Sequence, residues 1–152
     1  MNLAPPDPRM ERRLRDAIPA PYRSTLEQTL SHPLMQRLKR ISQLGSVALL
    51  REGQGHTRWE HSLSTALLGI RAARVCAAQK PTQVTPRHVA LVGLGALMHD
   101  VGHGPFSHVF ENEFCRPRGL SSHEQRGQWL AGHVLRDLCA EDVAWVKHVI
   151  DP

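Results

Sequence analysis

The segment from Arg87 to about Val101 constrains the fold more than any other part of the chain, because its helical pattern is apolar on nearly every side. A helix without a polar face belongs in the middle of a helical domain. Its uncharged part, Val89 to Met98, is far shorter than the roughly 20 residues that span a bilayer. The segment therefore predicts a central buried helix, with the rest of the chain packed around it.

Further helices are predicted on both sides of this segment by apolar residues at helical spacing. They are expected at residues 9–17, 33–44, 58–79, 105–115, 121–139 and 141–150. Gly45 suits the end of the helix over 33–44, and residues 46–57 have the composition of an irregular loop. No repeat or clear β-hairpin pattern interrupts the series, so the predicted fold class is all-α.

A chain of 152 residues is expected to form one domain, here preceded by a flexible N-terminal arm. The Pro-rich residues 1–8 form that arm, and residues 9–152 form the domain. The chain starts without an apolar signal segment, and its three widely spaced cysteines suit a reducing compartment, so we expect a cytoplasmic protein with no membrane partner. The net charge of +5 and the pI near 9.7 favour an anionic partner such as a nucleotide, phosphate or nucleic acid.

His99 and Asp100 end the central helix, which raises the question of what compensates for their burial. Buried charged groups are paired or coordinate a metal. Imidazole together with carboxylate is a ligand set for manganese, iron or zinc. His61, in the first turns of the helix predicted over 58–79, is the candidate for a third ligand. Taken singly, each signal is weak, and His61 also fits a hydrogen-bonded histidine of the core.

Four motifs, in order along the chain, resemble those of the HD superfamily. They are QLG (43–45), HTRWEHSLS (56–64), LMHDVGHGPFSHVFE (97–111) and SHEQ (122–125). Within the superfamily they are most similar to the deoxynucleoside triphosphate triphosphohydrolase branch. The resemblance implies an HD-domain bundle of helices around one divalent metal ion: manganese, iron, zinc or magnesium. Four side chains hold that ion in the family, and three of them match His61, His99 and Asp100.

The resemblance also implies roles for residues around that metal. The matching positions are His103, His123 and Glu111 as catalytic groups, and Arg58, His108 and Gln43 as substrate contacts. Arg58 and His108 would contact phosphates, for which a guanidinium is well shaped, and Gln43 would contact the sugar. Each histidine also has a structural interpretation, in a turn, within its helix or at a helix start, and Glu111 also fits a solvated surface acid.

The fourth metal ligand of the family is an aspartate in a later D-x-D-R-x-x-Y-like segment, for which this sequence has no match. Asp151 comes too early, and its flanks, VIDP, do not fit that pattern. We therefore expect an HD domain that is incomplete at its C-terminal end.

The resemblance implies a metal-dependent phosphohydrolase that converts deoxynucleoside triphosphates to nucleoside and tripolyphosphate. Two alternatives stay open: a different HD phosphodiesterase, and a catalytically impaired HD protein that binds nucleotide or nucleic acid. A homo-oligomer is a further expectation, because members of this branch often assemble. A plain nucleic-acid-binding module is disfavoured, since aromatic residues are only 5% of the chain and no groove-reading motif occurs.

Overall fold

The computed structural model describes residues 7–45 and 55–152, which are built mainly from α-helices. The helices are α1 (Pro8–Ala17), α2 (Arg23–Ser31), α3 (Pro33–Gln36), α4 (Arg58–Gln79), α5 (Pro86–Met98), α6 (Ser107–Phe110), α7 (His123–Val134) and α8 (Ala140–Ile150). The predicted all-α class is confirmed. The expectations for residues 1–6 of the arm and 46–54 of the loop lie outside the described residues.

The apolar helix α5 lies at the centre of the domain and packs against both α4 and α8. Two glycines let its neighbours approach closely: a Cβ added to Gly93 would lie 2.7 Å from Ile70 of α4, and one added to Gly95 would lie 2.6 Å from Val149 of α8. The expectation of a central buried helix is therefore confirmed. Within the described residues, neither α5 nor any other helix is long and apolar enough to cross a membrane.

Capping boxes set where α4 and α7 begin, and both helices carry predicted site histidines near their starts. At α4, the Thr57 hydroxyl accepts a hydrogen bond from the Glu60 N–H, and the Glu60 carboxylate accepts one from the Thr57 N–H at 2.8 Å. Ser122 and Gln125 form the same arrangement at the start of α7. Because these reciprocal bonds satisfy N–H groups that a helix leaves unpaired, they fix its first turn.

The chain leaves its helical path after Arg40, short of the end predicted for the helix that starts at Pro33. The backbone groups that would continue the helix bond to the start of α4 instead. The carbonyl of Ile41 accepts from the Arg58 N–H at 2.8 Å, and the Gln43 N–H donates to the carbonyl of His56 at 3.1 Å. This pairing brings the QLG segment beside the first turn of α4.

Three other local predictions differ from the structure. The helix α2 was not predicted, because its buried face is marked mainly by Leu26 and Leu30 and its apolar pattern is weak. Helix α7 ends at Val134 rather than near residue 139, and a turn then leads into α8. Gly45 does not end the helix that starts at Pro33, because the helical path stops at Arg40; Gly45 has a φ of 54°.

Candidate active site

The three predicted metal ligands come together where the first turns of α4 meet the turn that follows α5. Nε2 of His61 on α4 lies 3.2 Å from Nε2 of His99, which lies 3.3 Å from Oδ1 of Asp100. Nε2 of His61 is 3.8 Å from Oδ2 of Asp100. One ligand atom from each residue is close enough to the others to bind a single ion, and we call these three residues the metal group.

The hydrogen bonding of His99 shows whether the metal group suits a cation. Its Nδ1 donates to the carbonyl of Ala96 at 2.7 Å, which leaves the lone pair of the neutral ring on Nε2. That lone pair faces a carboxylate oxygen of Asp100, and a cation between them removes their repulsion. Burial lowers the pKa of His61 by more than the charge of Asp100 raises it, which favours the neutral ring that binds metals. The residues therefore fit a divalent metal.

Asp100 is also paired with Arg58. Nη1 of the guanidinium donates to Oδ2 of the carboxylate at 2.5 Å. Both residues are buried: Arg58 is 2% exposed and Asp100 is 4% exposed. Burial raises the pKa of Asp100, but a hydrogen bond from His103 and nearby positive charges lower it by more, so the carboxylate stays ionised. Arg58, predicted to contact phosphates, here holds a carboxylate of the metal group.

Three predicted site histidines form a cluster next to the metal group, which we call the histidine cluster: His103, His108 and His123. The rings of His103 and His123 stack with centroids 3.8 Å apart, and His108 contacts them edge to face at 4.9 and 5.1 Å. Nε2 of His103 lies 3.4 Å from Oδ1 of Asp100, which joins the cluster to the metal group. Burial lowers the pKa of His103 despite this carboxylate and favours its neutral ring.

Glu111 is buried against His123 and lies at the start of a π-type turn, Glu111–Cys115, after α6. Its Oε2 accepts from the His123 backbone N–H at 2.9 Å and lies 2.8 Å from Nδ1 of the ring. Burial raises the pKa of Glu111, but these hydrogen bonds outweigh it and the net shift is downward. With 3% exposure, Glu111 is not a solvated surface acid.

Glu124 is a neighbour of the histidine cluster that the sequence reasoning did not select. Its Oε1 lies 3.0 Å from Nε2 of His123, so both ring nitrogens of that histidine face carboxylates. The sequence feature that could have identified Glu124 is its position directly after His123 in the SHEQ motif.

Two arginines, also not selected from the sequence, hold the turn that connects the metal group to the histidine cluster. Nε of Arg126 on α7 donates to the carbonyl of Gly102 at 3.1 Å, and Arg37 donates to the carbonyl of Val101. The turn also lies directly on α7, because a Cβ on Gly102 would be 1.9 Å from the carbonyl oxygen of His123. The arginines bind backbone carbonyls far away in sequence, and such partners leave no sequence signal.

Gln43, the predicted sugar contact, lies in a turn directly after Ser42, which pairs with Thr57, and its own N–H donates to the carbonyl of His56. This position places it next to the turn of α4 that carries Arg58. Its Oε1 is buried and has no hydrogen-bond partner in the part of the chain that the structure describes. The amide oxygen is therefore a buried acceptor that lacks a hydrogen-bond donor among the described residues.

The sequence matches the family model of the HD domain over residues 58–147. It is similar to deoxynucleoside triphosphate triphosphohydrolase SAMHD1 of Bos taurus, with 34% identity over 126 residues, which are 80% of this chain and 21% of that protein. A SAMHD1 homolog of Dictyostelium discoideum is 37% identical over 123 residues, covering 76% of this chain and 24% of the homolog. The Bacillus subtilis protein YwfO is 41% identical over 80 residues, 52% of this chain and 18% of YwfO. The chain spans about a fifth of the length of these curated relatives.

Proposed function

The chain belongs to the HD domain family, and from that membership and the site geometry we propose that it is a metal-dependent phosphohydrolase. Its proposed substrates are deoxynucleoside triphosphates, with nucleoside and tripolyphosphate as products, as the names of its SAMHD1 relatives suggest. The observation that carries the proposal is the contact between Asp100 of the metal group and His103 of the histidine cluster, at 3.4 Å. Metal ligands and groups that transfer protons thereby share one site.

The metal group would hold a divalent ion, with manganese, iron, zinc and magnesium as the candidates. A metal bound there supplies positive charge that polarises a phosphoryl oxygen and favours proton loss from water. The chain orients two of the ligands from outside the group: the carbonyl of Ala96 directs Nε2 of His99 inwards, and Arg58 holds one oxygen of Asp100.

Two members of the histidine cluster are suited to manage protons. Burial favours the neutral ring of His103. Because its Nε2 donates to Asp100, the nitrogen that would accept a proton from an attacking water is Nδ1, which has no hydrogen-bond partner among the described residues. Glu111 accepts the Nδ1–H of His123, so Nε2 of that ring, which also lies 3.0 Å from Oε1 of Glu124, is the nitrogen that would exchange a proton with the leaving oxygen. Because Glu111 is ionised and buried, it also stabilises the positive charge on His123 when the ring is protonated.

The substrate phosphates and sugar would meet the remaining predicted residues. His108 is exposed at the edge of the histidine cluster, where it can contact a phosphate. Arg58 carries a charge suited to phosphate, but its guanidinium is hydrogen-bonded to Asp100. It would attract the phosphates by its charge while that bond is kept, or bind them directly after part of the bond is released. The unpaired amide oxygen of Gln43 can accept a hydrogen bond from a sugar hydroxyl.

Binding of nucleotide or nucleic acid without turnover is a second candidate function. It is favoured by the composition of the metal group, which contains three side chains within the described residues, whereas the resemblance implies four. Three protein ligands with an open position still form a competent catalytic site for some metals. Product analysis separates the two functions.

The proposed function is tested by incubating the purified protein with the four deoxynucleoside triphosphates and manganese, and separating the products by chromatography. Release of tripolyphosphate that is lost in the His99→Ala/Asp100→Ala variant would support it. Absence of turnover at high enzyme concentration would contradict it and favour the binding function. Release of diphosphate instead would point to a different phosphoesterase reaction.

A further inference from the structure

Phe106 has an unusual conformation for a residue of its type. It is 58% exposed, and its φ of 61° is the only positive φ of a non-glycine residue in the described ranges. A Cβ makes this left-handed region unfavourable, and a large side chain does not relieve the strain. Phe106 is thus held in a strained conformation while most of its ring contacts solvent.

Folding alone does not account for phenylalanine at this position. An exposed ring contributes little hydrophobic stabilisation, and glycine would adopt the same φ without strain. Strained residues persist mainly in functional segments, where the surrounding structure holds them in place. Here the constraint comes from the proposed site, because Phe106 lies in the short loop between His103 and His108, whose rings are 4.9 Å apart.

The other side of this loop faces the QLG segment. A Cβ added to Gly45 would lie 3.6 Å from the carbonyl oxygen of Phe106, so the two backbones are in contact. Gly45 follows Gln43 by two residues, and Gln43 is the proposed sugar contact. The loop that carries Phe106 therefore contacts the QLG segment of the proposed sugar contact on one side and leads to His108, the proposed phosphate contact, on the other.

We propose that Phe106 is a platform on which the base of the bound nucleotide stacks; this inference rests on the proposed function. Every base has a flat face that an aromatic ring can cover, whereas phosphate has none. Stacking also explains why an aromatic ring is kept exposed at a position where the backbone favours glycine. Because stacking reads no hydrogen-bonding edge, Phe106 contributes affinity for all four bases with little preference among them.

The test compares a nucleotide with its base-free counterpart by calorimetry. The probes are the hydrolysis-resistant α-thio analogue of deoxyguanosine triphosphate, and inorganic tripolyphosphate. Phe106→Ala is expected to weaken binding of the analogue about tenfold and to leave tripolyphosphate binding unchanged. Phe106→Trp should retain the affinity of the wild type. Phe114→Ala, which removes another exposed phenylalanine, serves as the matched control and should change neither.

Different outcomes overturn different claims. Unchanged binding of the analogue by Phe106→Ala would overturn the platform and leave the proposed function intact. Equal weakening for both probes would also overturn it, because a loss that does not depend on the base is not stacking. A wild-type protein that binds neither probe would overturn the proposed function, and the platform with it.

A second variant separates stacking from a structural role. Phe106→Gly relieves the backbone strain, so its urea midpoint should exceed those of the wild type and Phe106→Ala. The same variant should lose the affinity that depends on the base. A midpoint below that of the wild type would show that Phe106 stabilises the fold, and would overturn the inference.

Discussion

The reactive side chains of the site are oriented by partners that are not reactive themselves. The carbonyl of Ala96 directs Nε2 of His99 towards the metal group, and Glu111 holds the ring of His123 through Nδ1 at 2.8 Å. A histidine with a fixed tautomer needs no reorganisation when a metal or substrate arrives. At the scale of single residues, the partners are therefore expected to matter nearly as much as the histidines.

Replacing Glu111 tests this expectation. Glu111→Gln keeps the size of the side chain but removes the charge that His123 contacts at 2.8 Å. We expect kcat for deoxynucleoside triphosphate hydrolysis to fall by about 10- to 100-fold with a smaller change in KM, because orientation rather than binding is lost. Glu113→Gln, at an exposed acid of the same π-type turn, is the control. Equal kcat values for both variants would contradict the role given to Glu111.

Glu111 also predicts how stability depends on pH. Its charge faces His123, Arg116 and Arg126, with the like charge of Glu124 nearby, and its pKa in the folded protein is lowered. The folded state therefore favours the carboxylate, and this stabilisation is present above the ordinary pKa of 4.5. It is lost as the pH falls through the lower pKa of the folded state.

Urea unfolding measured from neutral to acidic pH checks this prediction. The wild type should lose more stability on acidification than Glu111→Gln, which has no carboxylate at this position to protonate. Parallel losses in the two proteins would show that Glu111 is not the group that titrates.

At the scale of elements, the turn between α5 and α6 connects the two halves of the site. It follows the metal group at Asp100 and leads to His103, and it lies on the first turn of α7. The contact is between backbones, which requires a residue without a Cβ at position 102. The guanidinium of Arg126 then ties the turn to α7 by a hydrogen bond of 3.1 Å.

Two glycines of this turn provide a matched pair of variants. A Cβ on Gly102 would lie 1.9 Å from the carbonyl oxygen of His123, whereas one on Gly104 would have Phe110 as its nearest neighbour at 3.6 Å. Gly102→Ala should therefore lower the free energy of unfolding by about 1–3 kcal/mol and weaken manganese binding. Gly104→Ala should change both much less. Urea unfolding and manganese titration measure the two effects, and similar losses for both variants would contradict the close contact.

At the scale of the whole molecule, the site lies where the two most closely associated helices meet. His61 comes from α4, and His99 and Asp100 come from the turn directly after the central helix α5. A metal held by all three would cross-link these helices in the folded state, and the unfolded chain has no such preformed group.

Manganese is therefore expected to raise the thermal stability of the protein. Binding to the folded state alone adds about 2.7 kcal/mol when the free metal is 100 times its Kd. His61→Ala should lose most of this increase, and a chelator should reverse it in the wild type. His133→Ala, at an exposed histidine outside the metal group, should retain it. Thermal unfolding measures these shifts, and an equal rise in His61→Ala would place the metal elsewhere.

Much of the fold could be predicted because its signals are local. The helix α4 matches its predicted bounds and α5 begins within one residue of its predicted start, since each has a long apolar pattern and a clear start; α5 ends at Met98, about three residues earlier than predicted. The end predicted for the helix that starts at Pro33 was wrong for a reason that is not local. Ile41 bonds to Arg58 across the loop, and this pairing competes successfully with helix formation.

The sequence by itself determined the all-α class, the central place of α5 and the candidates for the metal group, because periodic apolar residues and short motifs are read from neighbouring positions. Only the tertiary structure decided that Arg58 binds Asp100 and that Arg126 holds the carbonyl of Gly102. These contacts join parts of the chain that are distant in sequence. They depend on backbone groups and on the packing of helices, and neither can be predicted from a local pattern of residues.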